Sequence, residues 1–403
     1  MLKVLHFYKT YYPDTFGGIE QVIYQLSESG LNFGVESTVL SLSKRGDYDN
    51  EKIGSHRVYY AKTNFEIAST PFSVSSISKF RKLAKEADII HYHFPFPFMD
   101  MLHFIDGIKK TSIVSYHSDI VKQKSFLRLY SPLMNRFLAA VDYIVTASPN
   151  YAQTSPVLQK FKNKVKVIPY GLNESSYPLI TAEKLEYWRQ KVGDKFFLFI
   201  GAFRYYKGLH TLLDAAYTTS LPIVIVGSGG IEKEIRLRAN QLNLSNVHFV
   251  GALPEDDKAA LLQLCYAVVF PSHLRSEAFG ITLLEGAMYG KPLISCEIGT
   301  GTSFINIDCH TGLVVPPCDH LSLSKAMQSL YTDSALAKSY GLNAYKRFKA
   351  IFTSEKMITD YISLYNNIYN THIKYVSAGN NFKSNNYKLM SFIHDYCLTS
   401  VIV

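Results

Sequence analysis

An alternation that runs twice along the chain constrains its fold most. Short runs rich in β-branched and aromatic residues alternate with stretches of helical periodicity, the pattern of parallel sheets built from βαβ units. In the first half the strand-like runs are "KVLHFY", "ESTVLSL", "RVYYAK", "DIIHYHF", "TSIVSYH", "DYIVTAS" and "VKVIPYG". A second series starts afresh at "FFLFIGA" and continues through "PIVIVGSG", "NVHFVG", "AVVFPS", "PLISC" and "GLVVP". The polar, turn-rich "LNESSYPLIT" between them places a linker near 171–180. The expectation is an α/β protein of two doubly wound, Rossmann-like domains facing across a cleft. Residues 1–173 form the first domain and 174–354 the second, a helix at about 355–373 returns to pack on the first, and the tail 374–403 has no legible pattern.

At 403 residues the chain exceeds one ordinary core, and 47% hydrophobic residues suffice for two. No apolar run approaches the ~18 residues that cross a bilayer. "MLKVLHFYKTYYP" reads as a strand rather than a leader. The five cysteines are scattered, with no C-x-x-C pair, so a reduced, cytoplasmic compartment is expected. Lysine and arginine (42) outnumber aspartate and glutamate (33), and the net charge of +9 favours anionic partners. No zinc-finger spacing, helix-turn-helix signal or RNA-recognition motif stands out, so nucleic acid is not expected among them.

Ligands of doubly wound sheets sit outside the carboxyl ends of the strands, so chemistry is sought just after each one. After the first, "TYYPDTFGGIEQVIYQL" sets Gly17 and Gly18 before an amphipathic helix. A glycine pair there lets backbone N–H groups approach a phosphate at the helix's positive end, although a tight β-to-α turn calls for glycine as well. At the head of the second domain, "GAFRYYKGLHTLLDA" also follows a strand and opens a helix. Arg204 and Lys207, three apart, would face one side of its first turn and neutralise a diphosphate, the arginine as a fork and the lysine as a point charge. "VGSGG", Gly227 to Gly230, is a weaker form of the same signal, or only a turn.

In "RSEAFGITLLEGAMYGKPLIS", Glu277 and Glu285 flank an apolar segment whose helix should begin near Phe279–Gly280. Glu277 would lie in the preceding loop and Glu285 about two turns into the helix. A carboxylate in the loop can meet sugar hydroxyls, and one further along can accept both hydroxyls of a ribose. The N–H groups of Phe279, Gly280 and Ile281 can hold phosphate between them. One ligand, a nucleotide diphosphate sugar, satisfies all three.

Taken with "FGGIEQ", "YHSD", "VIPYGL", "FRYYKGL" and "VGSGG", this stretch resembles the E-x7-E signature of retaining glycosyltransferases of family 4, which have the GT-B fold. The likeness covers about residues 1–370. The N-terminal block, with "HYHFPFPF" and "SYHSDIVKQK", is most similar to bacterial mannosyl- and rhamnosyltransferases of O-antigen or capsule assembly. That resemblance implies GDP-mannose as donor and a lipid-linked glycan as acceptor, on the inner face of the cytoplasmic membrane. It makes Arg204 and Lys207 the diphosphate clamp, Glu277 the contact to donor sugar hydroxyls and Glu285 the ribose contact. Gly17 and Gly18 would approach the diphosphate from the other domain, and His117 would sit beside the transferred sugar. Where many relatives carry Gly-Arg this chain has Gly201-Ala202, so Arg204 stands in. No nucleophile is evident near Glu277. The expected course is departure of the diphosphate, stabilised by the two cations, with the acceptor hydroxyl attacking from the same face. A UDP-, dTDP- or GDP-rhamnose donor, epimerisation on the same fold, and a non-catalytic basic binding protein are the alternatives.

Three further patterns have blander readings. His91, His93 and His117 have metal-ligand character, but the resemblance implies no metal and no cofactor. Asp47 and Asp49 in "DYD" read as a solvated turn. Phe126, Leu127, Tyr130, Leu133, Met134, Phe137 and Leu138 form a stripe, with Lys124, Arg128 and Arg136 on other faces and Lys122 just before it. It is either a core-facing helix or a surface for an anionic membrane.

Overall fold

The computed structural model describes residues 1–105, 110–120 and 124–382, without the side chains of 124–126 and 372–382. The first domain holds β1 (Leu2–Phe7), β2 (Val35–Ser43), β3 (Tyr48–Ile53), β4 (His56–Lys62), β5 (Phe65–Ile67), β6 (Thr70–Phe72), β7 (Ile89–Phe94), β8 (Thr111–Tyr116), β9 (Tyr143–Thr146) and β10 (Val165–Val167). Eight of these form one sheet in the order β10-β9-β8-β7-β1-β2-β4-β3, parallel except for β3, while β5 and β6 make a separate hairpin. The second domain holds β11 (Phe197–Ile200), β12 (Ile223–Val226), β13 (Val247–Gly251), β14 (Ala267–Phe270), β15 (Leu293–Cys296) and β16 (Gly312–Val315). Its parallel order, β13-β12-β11-β14-β15-β16, is that of a doubly wound nucleotide-binding sheet. The strand order reverses between β11 and β14 there, and between β1 and β7 in the first domain. Both switch points open ligand crevices at the carboxyl ends.

The fully buried runs "FLFI", "IVIV", "AVVF" and "LISC" explain why these strands are central: helices cover both faces, so no polar alternation is needed. The chain passes between domains twice, side by side. Leu172 N–H donates to the Phe352 carbonyl and Ser354 N–H to that of Leu172, at 2.9 Å each. A Cβ on Gly171 would lie 2.2 Å from the Thr353 carbonyl oxygen, so only glycine fits that crossing. Beyond it the helix Ser354–Phe382 lays Met357, Ile358, Tyr361, Ile362, Tyr365 and Ile368 against the first domain's sheet. It therefore takes in the first residues of the patternless tail, of which 383–403 lie outside the described residues.

One reading is amended here, and one open choice is decided. The "DYD" segment is solvated, as expected, but it is not a turn: Asp47 accepts from Lys62 N–H (3.1 Å) and Ser75 Oγ (2.6 Å) and leads into the antiparallel edge strand β3. A charged strand at an edge escapes hydrophobic patterning because solvent covers it. The basic stripe is core on its apolar side, since Met134, Phe137 and Leu138 of the helix Lys124–Ala140 are buried. Arg128, Leu129 and Arg136 stay exposed on the other side. Lys122 and the side chains of Lys124 and Phe126 lie outside the described residues.

Candidate active site

The β1 loop brings Gly17 and Gly18 to the cleft. Gly17 has φ −138°, open to any residue, but a Cβ there would come 2.5 Å from Glu20 Oε2. The Glu20 carboxylate also accepts from Thr10 Oγ1 (2.9 Å) and Thr15 Oγ1 (2.7 Å), which ties the loop to the start of the helix Gly18–Gly30. A Cβ on Gly18 would meet only Ile281 Cγ1, at 3.9 Å, so the turn faces the helix Ile281–Met288 of the other domain.

Across the cleft Arg204 precedes a single 3-10 turn, Tyr205–Lys207, and the helix Leu209–Thr219 starts only after Gly208. The two cations therefore sit on the turn before the helix, not on its first turn as the three-residue spacing predicts. Gly208 is the reason: at φ +73° it breaks the run, and a Cβ there would lie 2.0 Å from the Pro271 carbonyl oxygen. The turn is thereby seated against the end of β14. Lys207 Nζ makes an ion pair with Glu277 Oε2 and sits 4.8 Å from the centre of the Phe270 ring. Glu277 also accepts from Ser272 Oγ at 3.2 Å. Arg204 is exposed.

Gly280, at φ +101°, caps the helix Ile281–Met288, and Glu285 lies just over one turn in rather than two. Its carboxyl accepts from the Tyr177 hydroxyl at 3.1 Å, and burial pushes its pKa up to about 7 against the pull of Lys258. A cavity of about 430 Å³ brings Gly17, Gly18, Tyr177, Lys258, Ile281 and Glu285 together from both domains. Phe279 turns its side chain inward, with its ring centre 4.8 Å from that of Tyr170. It offers backbone rather than side chain to a ligand.

His117 ends a buried row of rings. Its Nε2 shares a hydrogen bond with His93 Nδ1 (3.0 Å), His93 Nε2 with His6 Nδ1 (3.1 Å), and His117 Nδ1 with the Tyr170 hydroxyl. Burial holds His6 and His117 near pKa 3 and His91 and His93 well below the usual range, so all four are neutral. His117 thus has both nitrogens engaged and is neutral. Among the described residues, the histidines grouped with donor atoms within 4.8 Å of one another are His6, His91 and His93; His117 is not in that group. His91 is bonded to Tyr365 (2.6 Å) and Ser115 (2.7 Å).

Sequence reasoning missed Tyr177, which sits in the linker, and Lys258, which follows the "FVGALP" loop. It also missed Arg275, two residues before Glu277. That guanidinium reaches into the first domain, donating to Asp119 Oδ2 (3.1 Å) and Thr154 Oγ1 (2.8 Å), and back to the Gly299 carbonyl (2.9 Å). The "YHSD" motif held one half of that signal. Of the "VGSGG" glycines, Gly227 and Gly229 serve packing: a Cβ there would lie 2.0 Å from the Gly201 or 2.5 Å from the Phe203 carbonyl oxygen, whereas one on Gly230 would meet nothing within 4 Å.

The geometry has known counterparts. Residues 16–176 match the family described as Glycosyltransferase Family 4, and residues 182–347 match Glycosyl transferases group 1. The O-antigen chain mannosyltransferase C of Escherichia coli is 54% identical over 90% of this chain and 98% of its own length. The chain belongs to glycosyltransferase family 4. The D-rhamnosyltransferase WbpZ of Pseudomonas aeruginosa is likewise 54% identical, over 88% of this glycosyltransferase and 93% of its own length. Among solved structures, the sucrose-phosphate synthase of Thermosynechococcus elongatus superposes with a TM-score of 0.76 at 20% identity, covering 92% of this chain and all of that one. The fold is GT-B, as the family resemblance implied, and its two Rossmann-like domains are those expected from the two series of strands.

Proposed function

We propose that this glycosyltransferase moves mannose from GDP-mannose, with retention, to a hydroxyl of a lipid-linked glycan in O-antigen or capsule assembly. The cavity of about 430 Å³ carries the reading, because it joins a glycine turn, a helix N-terminus and a buried carboxyl from two domains around one space in the size range of small-molecule sites. Glu285 takes the ribose diol. Lys207 leaves Glu277 to meet the departing diphosphate, and Arg204 adds the second positive charge. Glu277, freed, faces the sugar as it gains positive charge. The acceptor hydroxyl attacks on the face the diphosphate leaves and passes its proton to it, so no side-chain base is required. No metal or cofactor takes part in this scheme.

A rhamnose donor is the second reading, favoured by the equal identity to a D-rhamnosyltransferase. Among the described residues no helix is long and apolar enough to cross a membrane. Peripheral docking on the cytoplasmic face rests on Arg128 and Arg136, which liposome binding of charge-reversed variants tests. Thermal-shift screening against GDP-mannose, GDP-rhamnose, UDP- and dTDP-sugars, followed by transfer to a lipid-linked acceptor and NMR of the product anomer, tests the whole proposal. Stabilisation by UDP- or dTDP-sugars alone, or an inverted product, refutes it.

A further inference from the structure

The loop that carries the glycine turn is fastened from inside the first domain. Tyr12, Phe16 and Gly17 line the donor cavity, whereas Tyr11, just ahead of them, is fully buried. The Tyr11 hydroxyl lies 3.0 Å from Nε2 of His56, the first residue of β4. His56 Nδ1 in turn lies 2.5 Å from Oε1 of Glu28, on the last turn of the helix Gly18–Gly30. Glu28 is seated in the turn between β3 and β4. Ser55 N–H donates to both of its oxygens, at 2.8 and 3.0 Å, and a Cβ on Gly54 would come 2.5 Å from Glu28 Oε2.

The donors and acceptors of this row run one way. Against burial, hydrogen bonds from His56 and Ser55 hold the Glu28 carboxyl below the ordinary carboxylate range, so it is ionised and only accepts. Burial lowers the His56 pKa against the pull of Glu28, so the ring is neutral and carries one proton. That proton lies on Nδ1, facing the carboxylate, and leaves the Nε2 lone pair to accept from Tyr11. Burial pushes the Tyr11 phenol well above its ordinary range, so it stays protonated and donates. Beyond Tyr11 the contacts continue to the glycines. The Tyr11 carbonyl accepts from Asp14 N–H (3.1 Å) and Thr15 N–H (3.2 Å), and Thr15 Oγ1 donates to the Glu20 carboxylate that lies against Gly17. The Tyr11 ring sits in a buried cluster with Tyr8, Ile23, Val39, Val58 and Tyr60. Packing there would hold a phenylalanine equally well, so what the hydroxyl adds is the one direction that a hydrogen bond imposes.

We propose that His56, set in one tautomer by Glu28, is a positioning residue for donor binding: through the Tyr11 hydroxyl it fixes the loop that presents Gly17 and Gly18 to the diphosphate. The inference rests on the transferase reading above and deepens it. Without that bond the donor must order the loop itself, which weakens binding more than it slows the chemistry of the bound donor. The test is calorimetry with GDP and steady-state kinetics in GDP-mannose for the full chain, comparing Tyr11→Phe, His56→Asn, His56→Gln and the double variant Tyr11→Phe/His56→Asn with wild type.

Tyr11→Phe keeps the ring and should fold as wild type, yet bind GDP about fivefold more weakly and raise the donor KM by about as much, with kcat and the acceptor KM within about twofold. His56→Asn should lose the same, because its amide stands where Nδ1 stood and does not reach Tyr11. His56→Gln sets an acceptor where Nε2 stood and should recover most of the GDP affinity. The double variant should bind GDP no more weakly than Tyr11→Phe, and nitrogen NMR should place the His56 proton on Nδ1. Wild-type GDP affinity and donor KM in Tyr11→Phe overturn the proposal, and that variant decides even where the His56 variants fail to fold. So does a double variant whose GDP affinity falls by the product of the two single losses, or a His56 proton on Nε2. A wild type that binds GDP but transfers no sugar from any donor instead overturns the transferase reading, while the GDP affinities still decide the role of His56.

Discussion

Replacing Glu285 by glutamine separates two consequences of burying one carboxyl at the donor cavity. Its pKa is pushed from the ordinary 4.5 up to about 7, chiefly by burial, with Lys258 and the Tyr177 hydroxyl opposing. A carboxyl whose folded pKa is raised holds its proton more tightly when folded. Its contribution to stability is full below about pH 4.5 and is lost as pH rises through about 7. At roughly 1.4 kcal/mol per tenfold change in proton affinity, the ceiling is about 3 kcal/mol. Partial exposure to the cavity trims that to about 2 kcal/mol. Urea unfolding of the unliganded enzyme should therefore lose about 2 kcal/mol more between pH 5 and pH 8 in wild type than in Glu285→Gln.

Donor binding should run the opposite way, because a ribose diol needs the ionised carboxylate to accept both of its hydroxyls. With a pKa of about 7 the ionised fraction rises about tenfold from pH 6 to pH 8, so wild-type affinity for GDP-mannose should rise about tenfold. The donor is the right probe, since its diphosphate is esterified at both ends and does not titrate in this range. Glu285→Gln should bind weakly with a flat profile. Parallel pH profiles for the two proteins, in unfolding or in calorimetry, would refute the assignment.

Lys207→Ala should fold normally and lose most of its turnover, because a clamp on a leaving diphosphate acts chiefly in the transition state; near-normal kcat would sink the role. Glu277→Ala should lower kcat with only a modest change in donor affinity, and loss of free GDP binding would exchange its role with that of Glu285. Arg275→Ala and Asp119→Ala should each cost kcat, with a coupling energy of about 1–2 kcal/mol in the double-mutant cycle; additive losses would mean that the bridge between the domains does not hold the Glu277 loop. Gly208→Ala should destabilise the chain by more than about 3 kcal/mol, from the collision with Pro271 and the left-handed backbone, and an unchanged Tm would show that the turn relaxes freely.

The two series of strands were legible because each central strand is buried on both faces and so carries its own apolar run. The edge strand β3 and the β5–β6 hairpin were not, since exposed edges tolerate charge and short hairpins leave little periodicity. That Gly17, Gly18 and Glu277 lie in the segments just after a strand was legible for a related reason: such a placement is local in sequence. What misled was the start of the second-domain helix, where the spacing of Arg204 and Lys207 looks helical but the left-handed Gly208 postpones it.

The sequence by itself determined the α/β class, the two sheets, the linker and the residues that follow each strand, because propensity and hydrophobic period act over a few neighbours. Tertiary structure alone decided which of those residues meet. The strand order puts β1 beside β7 and β7 beside β8, and only then do His6, His93 and His117 form one neutral row. The crossing at Gly171 and Thr353 sets the domains so that Arg275 reaches Asp119, 156 positions away. Tyr177 reaches Glu285 from the linker across 108 positions. Such pairings depend on how two sheets pack across a cleft, a distance no local pattern encodes, and they fix the protonation and orientation of the site.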